Sequence, residues 1–147
     1  MQGDVIARWT VEGSVWRNKA TYPGFSAVKT MALISQTATY DTFLANTRAG
    51  ALYTIRIPVT GKPVVKVVRR STWQGFEALV ANNCHGTGTI LLGVDKETGA
   101  PYLYTLGHAN GTATVITALG KVPRTFAEVA YSRFYDDTAD YEQLSGE

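Results

Sequence analysis

At 147 residues, with 45% hydrophobic and 18% charged side chains, the chain reads as one soluble globular domain and is too apolar to stay disordered. Its net charge of +2 sets up no strong global field for a polyanion. Met1-Gln2-Gly3-Asp4 lacks the basic and apolar regions of a signal peptide, and no stretch approaches the roughly 18 apolar residues of a membrane span, so a cytoplasmic protein, or one carried in a virion, is expected.

Val5 to Val11 reads as a strand, with Val5, Ala7, Trp9 and Val11 on one face. Glu12-Gly13-Ser14 is a turn signal, and Val15-Trp16-Arg17 a short return strand. Tyr22-Pro23-Gly24 is a turn or loop. Between Phe25 and Asn46 the signals conflict. Phe25, Val28, Met31, Ala32 and Ser35 fit a helical stripe, yet Met31 to Ile34 also suits a buried strand and the threonines at 37, 39 and 42 weaken a helix. The spacing predicts helices over 25–35 and 40–48, with Gly50 as terminator. Ala51 to Val59 is a strand that lies at an edge or ends at Pro58. Thr60-Gly61-Lys62-Pro63 turns it into Val64 to Arg70, rich in β-branched residues.

Ser71-Thr72-Trp73-Gln74 has the form of a capping box, and Trp73, Phe76, Leu79, Val80 and Asn83 follow at helical spacing. Thr89 to Asp95, Tyr102 to Leu106 and, after Asn110-Gly111, Thr112 to Leu119 form an antiparallel meander. Thr125 with Glu128 is a second capping box, opening an amphipathic helix to about Tyr135. The sum is an α+β fold, an antiparallel or mixed sheet of about five to seven strands with two or three helices on one face, a ferredoxin-like sandwich among the arrangements that fit. It is a single domain, 1–147, with an acidic tail, 136–147, that frays. The expected core comprises Trp9, Ile55, Ile57, Val65, Val67, Phe76, Leu79, Val80, Ile90, Leu92, Leu103, Val115, Phe126 and Val129.

Ala20-Thr-Tyr-Pro-Gly-Phe25 is echoed by Ser71-Thr-Trp-Gln-Gly-Phe76, and Gly75-Phe76-Glu77-Ala78-Leu79-Val80 by Thr125-Phe126-Ala127-Glu128-Val129-Ala130, an offset of about fifty residues. With Leu91 to Tyr104, this resembles blades of certain bacterial β-propeller lectins. The resemblance implies about three blades per chain, pairing between subunits to close a ring. The capping boxes predict helices where a propeller needs strands, and the α+β reading follows from them. A second resemblance, to bacteriophage S-adenosylmethionine lyases, rests on Lys62 to Val68, a helix from Thr72 to Asn83, Thr89-Ile-Leu-Leu and Tyr102-Leu-Tyr. It implies ferredoxin-like trimers with a site between subunits, but Thr60-Gly61 stand where those enzymes carry an acid before the lysine.

Chemistry-bearing residues are sparse. Cys84 is the only cysteine, which excludes an intrachain disulfide. Cys84 and His85, adjacent in sequence, point apart more readily than they pair as nucleophile and base. His108 is expected beside a hairpin turn. Asp136, Asp137 and Asp140 lack the glycine and closing glutamate of a calcium loop, and neither a metal nor a cofactor is expected. Gly86-Thr87-Gly88 offers backbone N–H groups, and with Gly61 and Lys62 forms the candidate ligand site. Lys66, Arg69, Arg70 and Trp73 are candidate phosphate contacts, although four charges between Lys62 and Arg70 read better as a solvated edge, so nucleic acid is not the favoured partner. The leading expectation is a non-enzymatic, self-associating structural or interaction module, with an assembly or phage context. The alternative is a small enzyme, or a protein binding a nucleotide or S-adenosylmethionine-type ligand, with its site at a subunit interface.

Overall fold

Alternation with a period of two organises the chain from Val28 onward. Val28, Thr30, Ala32 and Ile34 are buried and Lys29, Met31 and Leu33 are half-buried, the signature of a strand with a sheet on each side. The computed structural model describes residues 4–84, 88–107 and 111–126. Its elements are β1 (Val5–Glu12), β2 (Val15–Pro23), β3 (Val28–Gln36), β4 (Tyr40–Thr47), β5 (Leu52–Pro58), β6 (Val64–Arg69), β7 (Phe76–Cys84), β8 (Gly88–Asp95), β9 (Pro101–Leu106), a 3₁₀ turn (Gly111–Ala113) and β10 (Ile116–Lys121). All pairings are antiparallel and sequential. They give a two-stranded hairpin, β1-β2, and two four-stranded meanders, β3-β4-β5-β6 and β7-β8-β9-β10.

The middle sheet, β3–β6, is covered on both faces. Toward β7–β10 it presents Ala32, Ile34, Leu44, Leu52 and Val68, which pack on Trp73, Leu79, Leu91 and Leu106. Toward the hairpin it presents Val28, Ala45, Ile55 and Ile57, against Ile6 and Phe25. First strands run alongside each other, β3 against β7, while the far side of the interface is filled by the 3₁₀ turn next to β6. There Arg69 donates to the Thr114 carbonyl at 2.9 Å. The two sheets are thus closer at their first strands than at their last.

This all-β architecture overturns the α+β expectation: no α-helix occurs among the described residues. The stretches 25–35 and 40–48 fall on β3 and β4, and the predicted helix after Ser71 is β7. The reason is visible in where backbone groups go. Trp73 N–H donates to Gly50 O at 3.0 Å, which ties the start of this stretch to the β4–β5 turn. The carbonyls of Trp73 and Phe76 each accept from Asn46 Nδ2 at 2.9 Å, the bonds a helix needs for its next turn. Thr72 is left-handed, with φ 82°, and Gln74 lies against Gly50 rather than reaching back to Ser71. A local capping pattern loses to long-range partners. Of the second capping box, Thr125 and Phe126 are irregular and Glu128 lies outside the described residues.

The predicted strands fare better. β5 does end at Pro58, and it is an inner strand, paired with both β4 and β6. Face assignment is where the core expectation fails. Ile55, Ile57 and Leu79 are buried, but Trp9, Val65, Val80, Val115 and Phe126 are exposed and Leu91 is buried in place of Leu92. Bulges at Arg8/Thr10, Leu52/Tyr53 and Phe76/Ala78 shift the alternation by one residue. Val129 lies outside the described residues.

The repeat is written into the backbone. In the two meanders the turn between second and third strands closes the same way, Thr47 N–H to Ala51 O and Asp95 N–H to Ala100 O. The entry to each sheet is tied to that turn, Arg48 N–H to Ala27 O and Lys96 N–H to Gly75 O. The exit is tied back too, Trp73 N–H to Gly50 O and Phe126 N–H to Gly99 O. Gly50 and Gly99 sit at φ 95° and 65°, where side chains are strained, and a Cβ on Gly99 would strike the Phe126 carbonyl oxygen.

Candidate functional site

The hairpin is a narrower cover than the sheet beneath it. Between them lies a cleft of about 890 Å³, within the size range of small-molecule sites. One wall is the hairpin exit, Tyr22, Pro23 and Phe25; the other is β5 and β6, through Tyr53, Ile55 and Val65. Thr21 and Thr47 also line it, the Thr47 hydroxyl being held by the Ala51 N–H and carbonyl, and Lys62 with Pro63 brings the β5–β6 turn to it. Lys62 is the one charged side chain among the described lining residues. The cleft therefore suits a largely apolar body carrying a negative charge.

Of the residues singled out in the sequence, Lys62 reaches this cleft and Gly61 adjoins it in the same turn, at φ 108°. Gly88 opens β8, paired with Cys84 across the ladder. Gly86, Thr87, His85 and His108 lie outside the described residues. The proposed phosphate contacts are dispersed. Arg69 spends its guanidinium on the Val68 and Thr114 carbonyls, at 2.8 and 2.9 Å. Lys66 and Arg70 are exposed. Trp73 is buried against Phe76 and Tyr104, with ring centroids 5.4 and 5.2 Å away, and offers no face to a base. No group of three or more His, Cys, Asp or Glu side chains among the described residues could hold a metal ion.

A second feature is the hairpin's own surface. Trp9 and Trp16 meet edge to face at 5.7 Å, with Lys19 Nζ 5.3 Å from the Trp9 ring centroid. Trp16 is 67% exposed and Val11 58%, and Val15 is exposed beside them. An apolar aromatic patch on a two-stranded ribbon is unusual for a monomer surface. Arg17 pairs with Glu12 at 3.3 Å on this ribbon, both exposed.

The hairpin is anchored to the middle sheet by Arg8, which reaches Asp41 at 3.4 Å and the Pro58 carbonyl at 3.3 Å. Burial pushes the Asp41 carboxyl above the usual carboxylate range, and the Arg8 charge and hydrogen bond only partly offset it. Burial likewise raises the Tyr104 hydroxyl, with Tyr102 adding to the effect. Asp95 is held below its ordinary range by hydrogen bonds from the Thr98 hydroxyl and backbone, with the Glu97 N–H adding a smaller share.

Tyr22, Tyr53 and the Trp9–Trp16 patch escaped the sequence reading. The sequence echo sets Tyr22 and Phe25 against Trp73 and Phe76, three residues out of step with the backbone bonds, which equate Phe25 with Trp73, and it carries no signal for Tyr53 or the Trp9–Trp16 patch. Comparison with protein-family models, with curated proteins and with solved structures returns no match.

Proposed function

We propose that the protein is a self-associating all-β module with a structural or interaction role. The observation that carries this reading is the exposed Trp9, Val11, Val15 and Trp16 surface, at one end of a stack of sheets whose other interfaces are packed. Each sheet covers its neighbour, and the stack stops on apolar surface. A second copy is the natural cover. Light scattering coupled to size exclusion tests this: wild type should elute as an oligomer, and Trp16→Ser with Val11→Ser should shift it toward one chain. A strict monomer at high concentration would sink the reading. The proposed setting is the cytoplasm or a virion; among the described residues no helix is long and apolar enough to cross a membrane.

The cleft favours a second reading, a binding protein for a small ligand with an anionic group, with the nucleotide and S-adenosylmethionine classes as candidates. Its lining has one cation and no acid–base pair among the described residues, which supports binding rather than catalysis. Calorimetric titration with these ligands, against Lys62→Ala as control, checks it. Heats unchanged by the substitution would dispose of this site.

A further inference from the structure

We infer that β1 and β2 are the third and fourth strands of a split meander, completed by residues 127–147 of a second copy. This rests on the self-association proposed for the protein and specifies how it occurs.

The first observation is a recurring hydrogen bond. In each complete meander a residue past the fourth strand donates to a residue just before the third: Trp73 N–H to Gly50 O at 3.0 Å, and Phe126 N–H to Gly99 O at 2.9 Å. The hairpin has the same bond, Phe25 N–H to Asp4 O at 3.1 Å. Asp4 directly precedes β1 and Phe25 lies just past β2. By this mark β1 corresponds to β5 and β9, and β2 to β6 and β10. Among the described residues, nothing pairs with the hairpin as a first or a second strand.

The middle sheet shows the same gap. On the face toward the hairpin, Val28 and Ala45 are buried but Met31, Leu33 and Phe43 of β3 and β4 are only half-buried, whereas Ala32, Ile34 and Leu44 on the opposite face, under a complete meander, are 7%, 0% and 0% exposed. The cover is incomplete over Met31, Leu33 and Phe43 of the first two strands.

The third observation is the sequence beyond Phe126. Thr125-Phe126-Ala127-Glu128-Val129-Ala130 echoes Gly75-Phe76-Glu77-Ala78-Leu79-Val80, which opens the first strand of the sheet β7–β10; the exit bond equates Phe126 with Trp73, three residues before Phe76, so the echo marks strand-forming sequence and not its register. Residues 127–147 suffice for two strands of the 6 to 9 residues found in the other sheets, with a short turn. Their charge is complementary: Glu128, Asp136, Asp137, Asp140, Glu142 and Glu147 against one Arg133, facing a hairpin with Arg8, Arg17 and Lys19 against Glu12.

The donor is a second chain because of topology. The hairpin lies on one face of β3–β6 and the sheet β7–β10 on the other, and Phe126 is bonded to the latter. The tail starts on the far side of the stack from its own hairpin. Head-to-tail sharing leaves no unpaired half-sheet, and two copies would hold six four-stranded sheets, within the four to eight that closed rings of such sheets contain.

The test is amide hydrogen exchange, read by mass spectrometry, on the full chain and on full-chain Ala130→Pro, alongside light scattering. Proline cannot donate to a ladder. Expected is an oligomeric wild type with slow amides in β1, and an Ala130→Pro protein of one chain's mass whose β1 amides exchange about tenfold or more faster, with β3 to β9 unchanged. Should Ala130→Pro not fold, wild type on serial dilution gives the same readout: β1 protection must fall as the mass falls. An oligomer whose β1 amides respond to neither change overturns strand sharing and leaves self-association standing. A monomer with slow β1 amides puts the tail of the same chain there and overturns the exchange between copies. A monomer with fast β1 amides removes both readings.

Discussion

Asn46 donates from Nδ2 to the Trp73 carbonyl oxygen at 2.9 Å, from a side chain that is fully buried. The same amide reaches the Phe76 carbonyl, and its Oδ1 accepts from Thr30 N–H at 3.2 Å. One side chain on β4 thus fixes both its own sheet and the crossing to the next. Asn46→Ala leaves these buried groups without partners. A loss of about 3 kcal/mol is expected in urea unfolding. A midpoint within experimental error of wild type would show that the crossing is held by something else.

Leu91 and Leu92 are neighbours on β8 with opposite fates. Leu91 is fully buried between the sheets and Leu92 is half-buried on the outer face. Leu91→Ala should cost about 3 kcal/mol, and Leu92→Ala distinctly less. Thermal melting of both decides the face assignment, and equal losses would contradict it.

Gly99 is both left-handed and crowded by the Phe126 carbonyl. Gly99→Ala should destabilise by about 1–3 kcal/mol. It should also release the Phe126 amide, whose exchange would rise more than that of Leu91 amide in the centre of the sheet.

Two carboxylates push acid stability in opposite directions. Asp95 has a lowered pKa from the Thr98 hydrogen bonds. Its contribution is present above the unfolded value of about 3.9 and is lost as pH falls through the folded one. Asp41 has a raised pKa through burial. Its contribution is present below about pH 3.9 and is lost as pH rises through the folded value. In stability–pH curves, Asp95→Asn should flatten the loss below pH about 4 and Asp41→Asn the loss just above it. The reverse assignment would be inconsistent with the hydrogen bonding at Asp95.

Strands β5, β6, β8 and β9 were legible because β-branched alternation and turn residues agree there. The turn chemistry at Gly61 and Gly99 agrees with it as well. β3, β4 and β7 were not. Their apolar residues also satisfy a helical stripe, and the deciding bonds come from Gly50 and Asn46, far away in sequence. Of the residues singled out in the sequence, Lys62 lines the cleft because it sits in the β5–β6 turn beside it. Tyr22 and Tyr53 were invisible because they become neighbours only when the hairpin folds over β5. Trp73 is a candidate phosphate contact in the sequence because it follows the basic strand Lys62 to Arg70; as the residue that crosses between sheets it is enclosed by both.

The bond from the exit of each sheet to the turn before its third strand joins residues of the same unit. Gly50 and Trp73 belong together, as do Gly99 and Phe126. A unit therefore carries its own closure and borrows none from its neighbours. Gene duplication or loss of one whole unit would leave every other closure intact. The number of sheets becomes a quantity that evolution can change by one at a time, without asking the remaining sheets to find new partners for their turns.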